Sequence, residues 1–428
     1  MCIRDSAKIL PLILVCLPTL TADAQERKVN YEEAKVPEYR LPPILEMPDG
    51  TAITDANAWT TKGRPATLEQ FRTHVYGRAP MARPSLRFKV QDREDQALQG
   101  KARRRQVTLY FSDDDQGPQV NLLIYLPVKA ARPSPVFLGL NFQGNHTIHA
   151  DPHIPVTQSW VRNNKDVGAE NHQASAEGRG RVANRWPVEK ITAAGYGLAT
   201  AYYGDIDPDF DDGFRNGVHT LAGEKAPAAD EWGSIATWAW GLSYIMDYLQ
   251  QDAEIDPKRI ILMGHSRLGK TSLWAGAEDE RFSIVISNNS GCGGAALHRR
   301  EFGETVKIIN NAFPHWFCDN FTDYSERVDA CPVDQHQLIG LIAPRPVYVA
   351  SAADDRWADP RGEFLSCVHA SPLYELLGTD GIAQQEMPGI ESPIFSTVGY
   401  HIRSGKHDVT HYDWEQWIKF ADKHLGSP

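Results

Sequence analysis

Beyond its first twenty residues the chain has no long hydrophobic run. No later segment approaches eighteen apolar residues, so no membrane insertion is expected downstream. A surplus of positive charge is also missing. Forty-four Lys and Arg stand against 55 Asp and Glu, a formal net charge of -11, which argues against nucleic acid or an anionic membrane as the main partner. Cysteine is scarce, with six in 428 residues. Cys2 and Cys16 fall near the N-terminus, and the spacings of Cys292, Cys318, Cys331 and Cys367 fit no zinc site. In an oxidising compartment these four permit one or two disulfides. There is no internal repeat and no low-complexity linker to divide the sequence.

What is present begins with an export signal. Arg4 and Lys8 precede the apolar run Ile9 to Leu20, and Thr21-Ala22-Asp23-Ala24 offers small residues for cleavage. Residues 1–24 are therefore read as a signal peptide and 25–428 as one exported domain. A hydrophobic content of 42% is enough for a full core. The eleven tryptophans supply flat faces that suit sugar rings, and that fill cores equally well.

Residues 26–75, rich in proline and charge, should wrap the surface before a first helix near Leu68 to Tyr76. Gln106 to Ser112 and Val120 to Pro127, split by Asp113-Asp114-Asp115-Gln116-Gly117, predict an antiparallel hairpin at the sheet edge. Pro135 to Phe142 reads as a buried strand and Gly197 to Tyr203 as a second edge strand. The acidic run Gly204 to Asp209 fails the EF-hand template. Phe210 stands where glycine is required and Asn216 where the bidentate glutamate belongs. A hydrogen-bonded loop at the carboxyl edge of the sheet is expected instead. The long polar stretch Asp151 to Arg185 is expected to be an insertion on the active-site side. Ile235, Trp238, Leu242, Ile245 and Leu249 recur at helical spacing and predict a helix over 231–251 with one apolar face. Strands at Phe282 to Ser287 and Pro346 to Ala350 follow. Alternation of strands and helices predicts an α/β fold, a three-layer sandwich around a mostly parallel, doubly wound sheet with an antiparallel N-terminal edge.

The chemistry concentrates at Arg259-Ile260-Ile261-Leu262-Met263-Gly264-His265-Ser266-Arg267-Leu268-Gly269-Lys270. An apolar strand, a tight turn with a serine at its tip and a helical run form a nucleophile elbow. Such a turn exposes the hydroxyl to a histidine and aims the next backbone N–H at a developing oxyanion. The second glycine of G-x-S-x-G is replaced by Leu268, with Gly269 one place later. A plain strand–helix turn with a capping serine is the competing reading. In this fold the acid and then the histidine follow the serine along the chain. Asp354, Asp355 and Asp359 all follow the late strand, and Asp355 is chosen. Among His401, His407 and His411, the capping box Thr410-x-x-Asp413 puts His411 in the first turn of the last helix, and His401 falls on or near the last strand. His407 lies on the loop between, where it can reach Ser266. The pair His407 and His411 lacks a third metal ligand, so no metal is expected.

These residues carry a resemblance. Gly264-His265-Ser266-Arg267-Leu268-Gly269-Lys270 resembles the G-[CH]-S-R-x-G-K signature of the glucuronoyl esterases, carbohydrate esterase family fifteen. Ser290-Gly291-Cys292-Gly293-Gly294-Ala295-Ala296, His315-Trp316-Phe317, Asp355-Arg356-Trp357-Ala358-Asp359-Pro360 and Gly405-Lys406-His407-Asp408-Val409-Thr410 are similar as well. The resemblance implies a bacterial-type α/β-hydrolase without a cofactor; the leader implies export to the periplasm or the medium, and a monomer is expected. Such a hydrolase would cleave esters of (4-O-methyl)-glucuronic acid, such as those joining glucuronoxylan to lignin alcohols. It implies Ser266 as nucleophile, His407 as general base and Arg267 as an oxyanion group, with Lys270, Glu304 and Trp357 contacting the sugar hydroxyls. Many members carry the acid as a glutamate where this chain has Asn289. The later-loop acid of some bacterial members maps to Asp355. An acetyl or feruloyl xylan esterase and a non-hydrolytic glycan-binding protein with a decayed site are the competing functions.

Overall fold

The computed structural model describes residues 29–129, 133–223 and 225–428, so the leader assigned to residues 1–24 lies outside the described residues. Ten strands form the main sheet: β1 (Arg87–Gln96), β2 (Ala102–Tyr110), β3 (Gln119–Pro127), β4 (Ser134–Asn141), β5 (Gly197–Tyr202), β6 (Ile255–His265), β7 (Ile284–Asn288), β8 (Val347–Ala352), β9 (Ile394–Phe395) and β10 (Val398–Arg403). Their spatial order is β1-β2-β3-β5-β4-β6-β7-β8-β10-β9. The six strands from β5 to β10 in that order are mutually parallel, while β1, β2, β3 and β9 pair antiparallel at the two edges. The chain passes from β4 outward to β5 and returns on the other side of β4 at β6. That reversal opens a crevice at the carboxyl ends of β4 and β6, where an open α/β sheet binds its ligands.

The mostly parallel sheet with an antiparallel N-terminal edge agrees with the sequence reading, and its edges correct it. The hairpin β2–β3 is not outermost, because β1 covers it with a bulge between Val90 and Asp92. Strand β1 reads Arg-Phe-Lys-Val-Gln-Asp-Arg-Glu-Asp-Gln and is largely exposed, so no apolar alternation announces it. The Gly197–Tyr202 strand is interior, between β3 and β4, and all six of its residues are buried. The first helical stretch starts earlier than expected, at Ala56, and widens into π-helical turns at Trp59–Gly63 and Arg72–Tyr76 around a regular helix over Arg64–Phe71.

Three longer helices and the C-terminal one position the site: α1 (Ser234–Leu249), α2 (Arg267–Glu278), α3 (Pro360–Leu376) and α4 (His411–Leu425). The periodicity of α1 predicted one apolar face, yet every residue from Ser234 to Met246 is buried. Its far side is roofed by the N-terminal strands. Trp240 stacks on Phe111 at 5.4 Å, and the Tyr244 hydroxyl donates to the Tyr110 carbonyl at 2.6 Å. A helix enclosed on all sides is apolar all round, which erases the polar stripe. Helix α4 opens with the expected capping box of Thr410 and Asp413.

Cys292, Cys318, Cys331 and Cys367 are buried free thiols, so none of the disulfides the sequence permitted is formed. They sit on separate elements, Cys367 within α3 and the others on three different loop segments. Each packs as a small apolar side chain. Burial pushes the thiols of Cys318 and Cys331 up to about 12.

Candidate active site

Strand β6 ends at His265, helix α2 begins at Arg267, and Ser266 alone makes the turn with φ 57° and ψ -129°. That is a left-handed conformation unfavourable for a residue with a Cβ, and it persists because its surroundings hold it. The Ser266 N–H donates to the Asn288 carbonyl on β7 at 2.9 Å. Gly264 is required by the turn, since a Cβ there would lie 1.9 Å from the Leu268 carbonyl oxygen. The displaced second glycine has its own reason. A Cβ on Gly269 would meet Ser290 at 3.0 Å and Ser287 at 3.1 Å, so the helix packs closely on the β7 loop. The N–H groups of Gly269 and Lys270 close on the Ser266 carbonyl at 2.8 and 3.2 Å, so those of Arg267 and Leu268 precede the first intrahelical acceptor.

Ser266 lines a cavity of about 260 Å³ together with Phe142, Gln143, Tyr203, His265, Arg267 and His407. Residues 151–185 contribute Arg162, Asn163, Asn164 and Arg185 to the same walls, which places the expected insertion on the active-site side. His407 lies on the loop after β10 with 42% of its side chain exposed. Its Nδ1 sits 2.6 Å from Oδ2 of Asp355, which leaves Nε2 for the cavity. The Asp355 carboxyl is pushed up by burial, but the hydrogen bond and charge of His407 outweigh that and hold it below the usual carboxylate range.

The competing acids and histidines are either tied to other partners or turned to the surface. Asp359 bonds Arg300 at 2.8 Å and caps α3 through the Gly362 N–H. Asp354 is exposed. His401 is fully buried against Asp413 at 2.9 Å, and His411 is exposed on the first turn of α4. Asn289 adopts φ 47° just past β7 and is 2% exposed. Its amide donates to the same Asp355 Oδ2 at 2.8 Å. Asn289 thus acts as a donor that steadies Asp355, a role a glutamate could not fill while ionised.

Arg267 projects between aromatic faces, 5.2 Å from the Phe142 ring centroid and 5.1 Å from that of Trp316. Its Nη1 lies 3.3 Å from Oδ2 of Asp209. That carboxylate belongs to the acidic run, which is a hydrogen-bonded loop as expected. Asp209 is fully buried and receives His315 at 2.9 Å, Trp316 Nε1 at 2.8 Å, the Tyr203 hydroxyl at 2.9 Å and Arg162 at 3.2 Å. Burial pushes its carboxyl up, yet the His315 hydrogen bond and the Arg267 charge prevail and hold it far below the usual range.

Lys270, Glu304 and Trp357 are brought together. The Lys270 ammonium lies 3.6 Å from the Glu304 carboxylate, both nearly buried, and the Glu304 N–H donates to the Trp357 carbonyl at 2.9 Å. Trp357 is 41% exposed. None of the three lines the cavity that holds Ser266.

Sequence reasoning passed over three residues. His265 lies beside the general-base candidate, with ring centroids 4.4 Å apart. Burial first, and then the charge of His407, pushes it well below its ordinary value, so it stays neutral. Arg162 was hidden in the polar insertion. Glu363 on α3 is fully buried beneath the loop after β7, where it accepts from Ser290 N at 2.7 Å and Gly291 N at 3.0 Å and meets the Ser351 hydroxyl at 2.6 Å. Burial pushes its carboxyl up to about 8 despite those bonds. Nothing in a lone helical glutamate signals this position.

The chain is similar to several known proteins. A family model described as glucuronyl esterase, fungi, matches residues 226–378. Carbohydrate esterase MZ0003 from an unknown prokaryotic organism is 51% identical over 405 residues, 94% of this chain and 93% of the relative. A 4-O-methyl-glucuronoyl methylesterase of Phanerochaete carnosa is 33% identical over 154 residues, 34% of this chain and 38% of the relative. Among solved structures, a promiscuous CE15 esterase from a marine bacterial metagenome superposes with a TM-score of 0.88 at 51% identity, over 93% of this chain and 100% of that one. A glucuronoyl esterase from Solibacter usitatus gives 0.87 at 49% identity, over 92% and 100%. With a full-length relative at this identity, the chain belongs to the CE15 carbohydrate esterases, the glucuronoyl esterase family.

Proposed function

We propose that the protein is a serine esterase that hydrolyses esters of (4-O-methyl)-glucuronic acid, such as glucuronoxylan–lignin cross-links, through a glucuronoyl-serine intermediate. The observation that carries the reading is the convergence of a strained serine, a histidine–carboxylate pair and an arginine on one cavity.

His407 Nε2 removes the Ser266 proton as Oγ bonds to the uronate carbonyl carbon. The carbonyl oxygen becomes an oxyanion and meets the N–H and guanidinium of Arg267. A preorganised donor of this kind contributes on the order of 3 kcal/mol to the transition state. The tetrahedral intermediate collapses, the ester C–O bond breaks, and the leaving alcohol takes the proton from His407. Water then gives its proton to His407 and attacks the acyl carbon, releasing the uronate and restoring Ser266. Asp355 fixes the tautomer and supports the imidazolium. The family resemblance, and not the lining of the Ser266 cavity, assigns Lys270, Glu304 and Trp357 to the sugar hydroxyls; the three are linked through the Lys270–Glu304 ion pair and the Glu304 N–H bond to the Trp357 carbonyl. The reaction needs no cofactor. Export of the protein, as a monomer, is part of the same reading; the composition of residues 1–24 and the location of such substrates outside cells support the export.

The test is initial-rate kinetics on benzyl glucuronate and on acetylated xylan with wild type and Ser266→Ala. Turnover of the uronate ester that falls about 10³-fold or more in Ser266→Ala is expected. Faster release of acetate would transfer the reading to an acetyl esterase. Failure of a fluorophosphonate to label Ser266 would favour a non-hydrolytic glycan-binding protein.

A further inference from the structure

Among the described residues, the walls of the Ser266 cavity carry three arginines, Arg162, Arg185 and Arg267, together with His265 and His407, and no carboxylate. This stands out in a chain of net charge -11. Arg185 is neutralised by Asp408 at 2.5 Å. The other two arginines share one acid. Arg267 Nη1 and Arg162 Nη2 both lie against Oδ2 of Asp209, at 3.3 and 3.2 Å, and Asp209 has no exposed side-chain surface. Two cations on one buried anion leave about one unit of positive charge directed toward the cavity. A concave, one-signed site of this kind concentrates anions. The ester is uncharged at its reacting carbon in the ground state, and the oxyanion that forms there is met by Arg267, so hydrolysis leaves the charge of Arg162 without a use. The carboxylate formed at the same carbon after hydrolysis does match it.

Arg162 is placed for this role. It is 49% exposed, whereas Arg267 is 19% exposed and packed between aromatic rings. Its Nη2 is tethered by the Asp209 carbonyl at 3.1 Å as well as by the carboxylate, and its remaining guanidinium N–H groups have no partner among the described residues. It enters from the insertion and not from the elbow, so it is not needed to build the serine turn. We propose that Arg162, with Arg267, forms a carboxylate-binding site that retains the uronate product at the nucleophile. The ligand is a pyranose bearing a free carboxylate. The enzyme is therefore inhibited by its acid product, and the inhibition is relieved by salt.

This inference rests on the esterase reading, and the test separates the two. Glucuronate and glucose are titrated calorimetrically into Ser266→Ala and into Ser266→Ala with Arg162→Gln or Arg162→Lys. In the otherwise wild-type background, the inhibition constant of glucuronate is compared with KM for neutral benzyl glucuronate. Glucuronate should bind Ser266→Ala at least tenfold tighter than glucose. Loss of one charge-assisted contact in Arg162→Gln should weaken glucuronate by about tenfold, with partial recovery in Arg162→Lys. The glucuronate inhibition constant should rise at least fivefold more than the ester KM. Equal binding of glucose and glucuronate, no change in Arg162→Gln, or an equal rise in both constants overturns the proposal. Absence of ester hydrolysis by the wild type would defeat the esterase reading itself.

Discussion

The C-terminal segment carries two imidazole–carboxylate pairs six residues apart, and they are placed in opposite surroundings. His401 on β10 spends both nitrogens inside the protein, Nδ1 on the Tyr348 hydroxyl at 3.0 Å and Nε2 on Asp413 at 2.9 Å, with no exposed surface. His407 spends only Nδ1, on Asp355 at 2.6 Å, and keeps Nε2 at a cavity with 42% of the side chain exposed. The chemical groups are the same. An imidazole with both nitrogens satisfied is a strut, whereas one with a vacant nitrogen beside a nucleophile can carry a proton.

The sharpest way to break this contrast is to delete each imidazole. His407→Ala should lower kcat/KM by about 10³-fold or more without a large change in melting temperature. His401→Ala should instead strip the buried Asp413 and Tyr348 of a partner. It should cost on the order of 2–4 kcal/mol of stability, read by urea unfolding, while activity per folded molecule survives. A severe activity loss in folded His401→Ala, or none in His407→Ala, would erase the distinction.

A smaller effect sharpens the acid half of the working pair. Asn289→Glu places a second carboxyl where an amide now donates to Asp355 at 2.8 Å. Two carboxylates at that separation cannot both ionise freely, so about a tenfold fall in kcat and an acid limb moved to higher pH are expected. An increase in kcat would show instead that the glutamate usual at this position restores something this chain has lost.

The smallest predicted effect concerns the support under the site. Burial pushes the Glu363 carboxyl from its ordinary value of 4.5 up to about 8 in the folded protein. A carboxyl raised in this way adds its stability fully below its unfolded pKa, and that contribution fades as pH rises towards 8. Glu363→Gln mimics the protonated form, because the amide can donate to the Ser351 hydroxyl and accept from Ser290 and Gly291. Melting temperature from pH 5 to 8 should therefore decline less in the variant than in wild type. Parallel curves would show that Glu363 is ionised.

The elbow was legible because its parts are contiguous: four apolar residues, Gly264, Ser266 and a helical run within twenty positions. The meeting of Asp355 with His407 was legible from chain order and from the capping box that assigned His411 to α4. What lay outside sequence reasoning depends on distant contacts. The amide of Asn289 reaches Asp355 across 66 residues, so a substitution that reads as decay is a hydrogen-bond donor in place. Asp209 looked like one of several loop acids, and only the fold shows that His315, Trp316, Tyr203 and two arginines converge on it. Strand β1 is charged along its length, and the enclosure of α1 by β2 and its neighbours leaves no polar stripe to mark its orientation.

One consequence follows from the shared carboxylate at Asp209. Through Arg162 and Arg267 it joins the insertion to the nucleophile turn, so these two parts cannot be redesigned separately. Transplanting the 151–185 loop from another family member to reach new esters would also reset the charge at the reacting carbon, unless the graft brings its own arginine at the position of Arg162. Chimeras that respect this electrostatic link should keep their affinity for the acid product, and those that ignore it should lose product retention before they lose turnover.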